Sequence, residues 1–392
     1  MTEENKSVKK FPNLRFTGFE NEWEVKKLGE IANKIGDGLH GTPDYTDNSE
    51  YYFINGNNLV NGRIEIFDNT KKVSNHIFAK NNKDLKENTL LISINGTIGS
   101  IAKYNGEKVM LGKSVGYFNF KNNSDFIYFT LHTRLIQDYF FSELTGSTIK
   151  NLSLKTLRET SIYLPSSEEQ YKISCFLSLV EDRIQTQRKI IEQLETLMKG
   201  NLEKIFRQKL RFKNKQGNYF SIWKTMKLDE ICDIKKGEQL NKEDLTESGN
   251  YPCLNGGMSF SGYTDKFNSD ENTITISEGG NSCGFINFMK SKFWLGGHCY
   301  KVILKKDISK DFLFHLLKFY EREIMNLRVG SGLPNIQQKD LKNLQLLISE
   351  DIEEQNKIAN FLSSIQDKVE TEKQILEKLE LQKKFLLGNL FV

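Results

Sequence analysis

The residues best placed to do chemistry lie in glycine-rich stretches, and each set stops short of a complete site. Gly106-Glu-Lys-Val-Met-Leu-Gly112-Lys113-Ser114 ends like a phosphate-binding P-loop. Five residues, Glu107 to Leu111, separate its glycines where the P-loop needs four. It also precedes a strand-like run, not a helix whose N-terminus could hold phosphate. Cys253, Cys283, His298 and Cys299 are zinc-binding residue types, but no CxxC or HxxxH pair sets two of them at ligand spacing. Pro43-Asp44 could open a metal-dependent nuclease site, yet no Glu-x-Lys follows. His40, His298 and Ser147 have no triad partners in view. The prolines are isolated, so the proline-rich tetrapeptide of an adenine or cytosine methyltransferase is missing. The chain reads as a non-enzyme with no catalytic residues, no metal and no cofactor of its own.

Recognition is the chemistry left. The turns Asn95-Gly96-Thr97-Ile98-Gly99 and Gly279-Gly280-Asn281-Ser282-Cys283-Gly284 allow close backbone approach. Their Asn, Thr and Ser can bond to phosphates, and Asn or Gln can read adenine in the major groove. The same residues also make ordinary structural β-turns, and both readings stand. On the first, the candidate DNA contacts of the first half are His40, Thr42, Tyr45, Asn57, Asn95, Thr97, Lys113 and Ser114. Those of the second half are Lys235, Lys236, Gln239, Asn255, Tyr263, Asn281, Ser282, His298 and Tyr300. Lys235 and Lys236 also suit a solvated surface pair.

These residues need a frame, and the chain says nearly the same thing twice. Ile375–Phe391 repeats Ile190–Phe206, and the register holds back through Glu169-Gln170 and Glu354-Gln355 to Phe176-Leu177 and Phe361-Leu362. Trp23 with Lys27–Ile31 matches Trp223 with Lys227–Ile231. Two copies at so long a period mean a duplicated domain-plus-helix unit, not a solenoid. A pseudo-two-fold protein suits a two-fold ligand, and duplex DNA is the commonest.

Apolar residues recur at steps of three and four after Ser167, without proline. The first seam is Ile173, Leu177, Val180, Ile184, Ile191 and Leu194; the second is Ile358, Leu362, Ile365, Val369, Leu376 and Leu379. Such spacing predicts two coiled-coil helices, packed antiparallel as a spacer if a two-fold relates the halves. Gln187 and Glu372 interrupt the seams at the same place, and Asn201 and Lys383 do so again. Polar seam residues of this kind fix register and partner choice. Phe176, Phe361 and Phe385 fall outside the seams and await cover from a partner.

The rest reads as mixed α/β. Tyr51–Ile54, Thr89–Ser93 and Val115–Phe120 are strand candidates, and Phe126–Phe141 is predicted helical. Domains are expected at 1–165, 166–210 (long helix), 211–350 and 351–392 (long helix). The fold class is therefore α+β: two similar mixed α/β recognition domains, two long antiparallel coiled-coil helices and an internal duplication. Gly36–Tyr45 and Gly237–Asn241 differ while the framework around them keeps its identities, so the modules should read different targets.

The net charge of +4, from 55 Lys+Arg and 51 Asp+Glu, does not announce a nucleic-acid binder. No apolar run is long enough to span a membrane, and the N-terminal residues lack a signal-peptide core, so a cytoplasmic protein is expected. Five cysteines without paired spacing argue against a disulfide framework.

Phe11–Ile31, Gly38-Leu-His-Gly-Thr-Pro43 and Gly146–Leu152 resemble segments of the specificity (S) subunits of type I restriction–modification enzymes, and the order of parts along the chain is similar. The resemblance implies a reader of a bipartite, gapped DNA site, one recognition domain per half, with the helices setting the gap. It implies docking to two modification subunits that use S-adenosylmethionine to methylate adenine N6. Restriction (motor-nuclease) subunits would bring ATP and Mg²⁺. A fused-type enzyme, whose single partner both cuts and methylates, would use a similar reader. The competing class is a two-headed coiled-coil adaptor that binds protein partners.

Overall fold

The computed structural model describes residues 11–392 except 123, 147–149, 331 and 333, so parts of Gly146–Leu152 and Gly330–Asn335 lie outside the described residues. The chain forms two compact units, residues 1–187 with 375–392, and residues 188–374. Both cuts fall inside the long helices, Ser167–Phe206 and Ile352–Asn389. Each unit is thus a globular part plus one segment of each helix, where the sequence suggested four consecutive domains.

In the first unit a four-stranded antiparallel sheet runs Ala32–Asp37, Val115–Phe120, Thr89–Ser93, Ile101–Lys103. Thr89–Ser93 is apolar on both faces because it divides two cores. Successive strand residues point to opposite sides. Leu90 and Ile92 join Phe118, Trp23, Phe126 and Phe140 in the larger core, which Ile173, Leu177, Leu386, Leu390 and Phe391 of the long-helix segments close. Leu91 joins Val115, Tyr117, Ile54 and Leu111 in the smaller one. Over the smaller core lies a three-stranded sheet in which Tyr51–Ile54 runs parallel to Val109–Leu111 and antiparallel to Lys72–Val73.

The second unit repeats the plan. Its sheet runs Cys232–Lys236, Cys299–Leu304, Thr273–Ser277, Ile286–Met289. The larger core holds Trp223, Ile276, Phe312 and Leu316, closed by Ile205, Phe206, Ile358 and Leu362. The smaller holds Leu254, Met289, Phe293, Leu295 and Cys299. Tyr251–Leu254 again runs parallel to one short strand, Trp294–Leu295, and antiparallel to another, Gly262–Thr264.

The strand expectations match residue for residue. The helix expected over Phe126–Phe141 is instead two, Ser124–Leu131 and Arg134–Ser142. Thr133 takes an extended ψ of 149° and its hydroxyl donates to Thr130 O at 2.7 Å. His132 Nδ1 donates to Tyr128 O at 2.7 Å, so the two side chains satisfy carbonyls freed by the break.

Within each unit the two helix segments run antiparallel. In the first, Lys383 pairs with Glu181 while Leu386 and Leu390 meet Ile173 and Leu177. In the second, Lys373 pairs with Glu195 at 2.7 Å while Ile358 and Leu362 meet Ile205. Ile173, Leu177, Ile184, Ile191, Ile358, Leu362, Val369 and Leu379 are buried; Val180, Leu194, Ile365 and Leu376 are half-buried. Gln187 and Glu372 are buried at the seam breaks, and Glu372 holds Lys368 at 2.6 Å. Phe176 and Phe361 are partly covered from within the chain. Phe16 and Phe212 stand edge-on to them, from the matching triplets Leu14-Arg15-Phe16 and Leu210-Arg211-Phe212. Phe385 stays exposed.

Candidate nucleic-acid interface

Each unit carries a ledge on its smaller core, where the loops after the central and short strands meet. In the first unit Leu39 N donates to Leu111 O at 2.8 Å, bringing the His40 loop against the Gly112 turn. Glycine is dictated at the crossing: a Cβ on Gly38 would stand 2.3 Å from Leu111 O and Gly112 O. Asn55 Oδ1 fills the space a Cβ on Gly112 would need, at 2.4 Å. Ser114 locks the corner, donating to Asn55 Oδ1 at 3.0 Å and accepting from Gly56 N at 2.9 Å. Ser93 Oγ donates to Asn95 O at 3.0 Å and Thr97 Oγ1 to Ser93 Oγ at 3.1 Å, tying the Asn95–Gly99 turn to the central sheet.

The second ledge uses the same joints with different residues. Glu238 N donates to Leu295 O at 2.9 Å, and a Cβ on Gly237 would stand 2.3 Å from Gly296 O. Asn255 Oδ1 lies 2.4 Å from the Cβ position of Gly296 and accepts from His298 N at 3.2 Å. Ser277 Oγ donates to Gly256 O at 2.6 Å. The second glycine turn is stitched by Gly280 N to Pro334 O at 3.0 Å.

The predicted contacts divide accordingly. His40, Thr42, Asn57, Thr97 and Lys113 of the first unit are exposed, and Asn95 is half-buried. Lys235, Lys236, Gln239, Asn281 and His298 of the second are exposed, with Tyr263 and Ser282 half-buried. His40 Nε2 lies 2.6 Å from Asp37 Oδ2, and Lys236 Nζ donates to Glu278 Oε1 at 2.6 Å. Tyr45 is exposed but stands on the short-strand sheet, bridged to Val73 and packed on Phe53.

Three of the expected readers are framework instead. Tyr300 is 3% exposed, its hydroxyl 2.9 Å from Glu278 Oε1 and 3.0 Å from Ile336 O. Burial and Glu278 raise its pKa above the usual phenol range. The polar atoms of Ser114 and the carbonyl oxygen of Asn255 are occupied by the joints just described. Alternation placed Tyr300 inside: Ile276 pairs with it across the sheet, and both line the larger core. Asn55 and Glu278 escaped the sequence reading. The Asn-Gly pair that recurs at 255, where Asn255 was among the expected readers, was the available signal for the first.

Cys253, Cys283 and Cys299 are buried and serve packing in the second unit. Cys299 Sγ accepts from Gly256 N at 3.0 Å, and burial pushes its thiol up to about 12. Among the described residues no three His, Cys, Asp or Glu stand together as a metal site.

Comparison with known proteins agrees with the duplicated plan. A family model described as the type I restriction modification DNA specificity domain matches residues 20–196 and again residues 221–381. A Mycoplasma genitalium chain described as a type I specificity subunit is 36% identical over 157 residues, 40% of this chain and 41% of that one. The specificity subunit of the type I restriction enzyme MjaVIII of Methanocaldococcus jannaschii is 26% identical over 94% of this chain and 92% of that one. The first of these alignments spans about two fifths of its relative. The crystal structure of an S subunit of a type I restriction-modification system from M. genitalium superposes with a TM-score of 0.69 at 19% identity. It covers 97% of this chain and 99% of that one, a likeness of fold.

Proposed function

This chain belongs to the type I restriction modification DNA specificity family, with two specificity domains, and from that premise we propose that it reads a bipartite, gapped DNA site. Each ledge would read one half. The observation that carries this is the contrast within the duplication. The joints Gly38/Gly237, Asn55/Asn255 and Gly112/Gly296 are kept, while the exposed side chains on them differ. Such a pair of surfaces suits two unlike half-sites on one asymmetric target. Exposed Lys113, Lys235 and Lys236 would meet phosphates, and His40, Thr97, Gln239, Asn281 and His298 would read base edges.

The long helices would set the gap and dock two modification subunits, with restriction subunits joining them. S-adenosylmethionine, ATP and Mg²⁺ would bind those partners, and this chain would be the non-catalytic targeting subunit. A cytoplasmic location belongs to the same proposal; no helix among the described residues is long and apolar enough to cross a membrane.

The test is to co-express the chain with its modification partner in methylation-free cells and map N6-methyladenine. A new gapped two-part motif is expected, and exchanging residues 212–345 should change one half only. An assembled complex that leaves no new methylation would overturn the proposal and favour a protein-binding adaptor.

A further inference from the structure

The ledge of the second unit carries an apolar tip that polar base reading does not use. The loop between Tyr251–Leu254 and Gly262–Thr264 includes Gly256-Gly257-Met258-Ser259-Phe260-Ser261. Its base is fastened: Ser261 N donates to Cys253 O at 2.8 Å, and Gly256 is held by Cys299 Sγ and Ser277 Oγ. Gly256 at φ +88° and Gly262 at +148° turn the chain outward and back, conformations that glycine adopts freely. At the tip Met258 is 67% exposed and Phe260 45%, with Phe260 edge-on to Tyr263. Holding two large apolar side chains in water is unfavourable until something covers them.

The surroundings indicate what covers them. A Cβ on Gly256 would stand 3.0 Å from His298 Cβ, so the loop rises directly beside His298. Asn255, the residue before the loop, accepts from His298 N, and Gly297 lies against Gln239. An apolar point beside the polar groups of Asn255, His298 and Gln239 has the complementary layout of duplex DNA, polar at its base edges and apolar between stacked bases. In the first unit the corresponding connection, between Tyr51–Ile54 and Lys72–Val73, opens instead with the 3₁₀ turn Gly56–Asn58, with polar Asn57 exposed, and its exposed apolar pair, Ile66 and Phe67, comes later in the loop.

The geometry points to Met258 and Phe260 as a wedge that enters duplex DNA and parts one base step within the half-site of the second unit. Apolar wedges of these residue types unstack and kink DNA at such steps. This inference rests on the reading of the chain as a DNA reader. It adds that the half-site of the second unit is parted at one base step.

The experiment uses the full chain assembled with its modification partner and duplexes of its recognition sequence. 2-Aminopurine is placed at successive positions of the second half-site, skipping the adenine to be methylated. Binding by the wild-type complex should raise fluorescence sharply at one step. The Met258→Ala/Phe260→Ala variant removes the apolar side chains of the tip and leaves the fastened base of the loop in place. It should abolish that rise while binding the same site within about tenfold, the scale of one lost base contact. A rise that survives the variant, or binding with no rise in the wild type, would overturn the wedge. So would a variant that no longer assembles with its partner, which would make the tip a protein contact. Absence of sequence-dependent binding by the wild-type complex overturns the reader assignment itself, and is seen before any variant is made.

Discussion

The ring of Phe391 stands edge-on to Trp23 with centroids 6.4 Å apart, closing the larger core of the first unit with residues from the far end of the chain. Phe206 does the same for Trp223 at 6.0 Å in the second unit. The backbone repeats the relation: Leu14 N donates to Asn389 O at 2.8 Å, and Leu210 N to Lys204 O at 2.9 Å. Each tryptophan is therefore roofed by the end of a long helix. Phe391→Ala should destabilise the first unit by about 3 kcal/mol, from lost burial plus the cavity left behind. Exposed Phe385→Ala should change stability by less than about 0.5 kcal/mol. Denaturant titration of the full chain, with the first unit followed by amide exchange, checks both; equal effects would refute the roof.

The glycine crossings allow a sharper test of the ledge. At Gly237 the atoms that a Cβ would meet are backbone carbonyls, Gly296 O at 2.3 Å and Leu295 O at 2.5 Å, so a strand or turn must move. Gly237→Ala should cost the second unit about 2 kcal/mol by overpacking. It should also relax the half of the methylated motif assigned to that unit and leave the other half intact. Gly217→Ala, with open space around its Cβ but φ of +84°, should lower stability through backbone strain and leave the motif unchanged.

Much of this frame was legible because it rests on local periodicity. Leu90, Leu91 and Ile92 read as a strand whichever core each faces, and the seam residues from Ile173 to Leu379 declare a helix by spacing alone. Less legible were features decided by tertiary partners. Thr133 looks like any helical residue until its hydroxyl finds Thr130 O and the chain bends. Tyr300 has the residue type of a base reader, but its parity on Cys299–Leu304 turns it into the core. Nor does spacing reveal that the unit boundary runs through both helices, because that follows from which core each segment closes.

Two histidines, His132 half-buried and His315 buried, make stability depend on pH. Burial lowers His132 and His315 to about 4 each; Tyr128 O opposes this at His132, and the charge of Asp367 opposes it at His315. In the unfolded chain both titrate near 6.5. Between those values the unfolded state binds the proton and the folded state does not, so stability is full above about pH 6.5. It falls as pH drops and levels off below about pH 4. From pH 7 to pH 5 each unit should lose about 2 kcal/mol on this account. His132→Asn keeps a donor for Tyr128 O, and His315→Gln keeps a partner for Ser363 Oγ, 3.0 Å from His315 Nε2. Each variant should flatten the pH dependence of its own unit, followed by denaturant midpoints across that range. An unchanged slope in both would exclude the histidines as its source.

The last prediction concerns how the ledges hold DNA. Lys113 and Lys235 are exposed ledge lysines, one in each unit. If they meet phosphates, each contact releases condensed counterions, and the logarithm of affinity falls with that of salt concentration by about 0.9 per phosphate neutralised. Lys113→Gln and Lys235→Gln should each reduce the slope by roughly that amount and weaken binding to every sequence alike. Gln239→Ala removes an uncharged side chain, so it should leave the slope unchanged and relax one position of one half-site. Filter binding of the assembled complex at several salt concentrations, on cognate and altered duplexes, separates the two behaviours. A lysine variant that changed the preferred sequence without changing the slope would show that side chain to be a base reader, and the ledge would then sit closer to the groove floor than proposed.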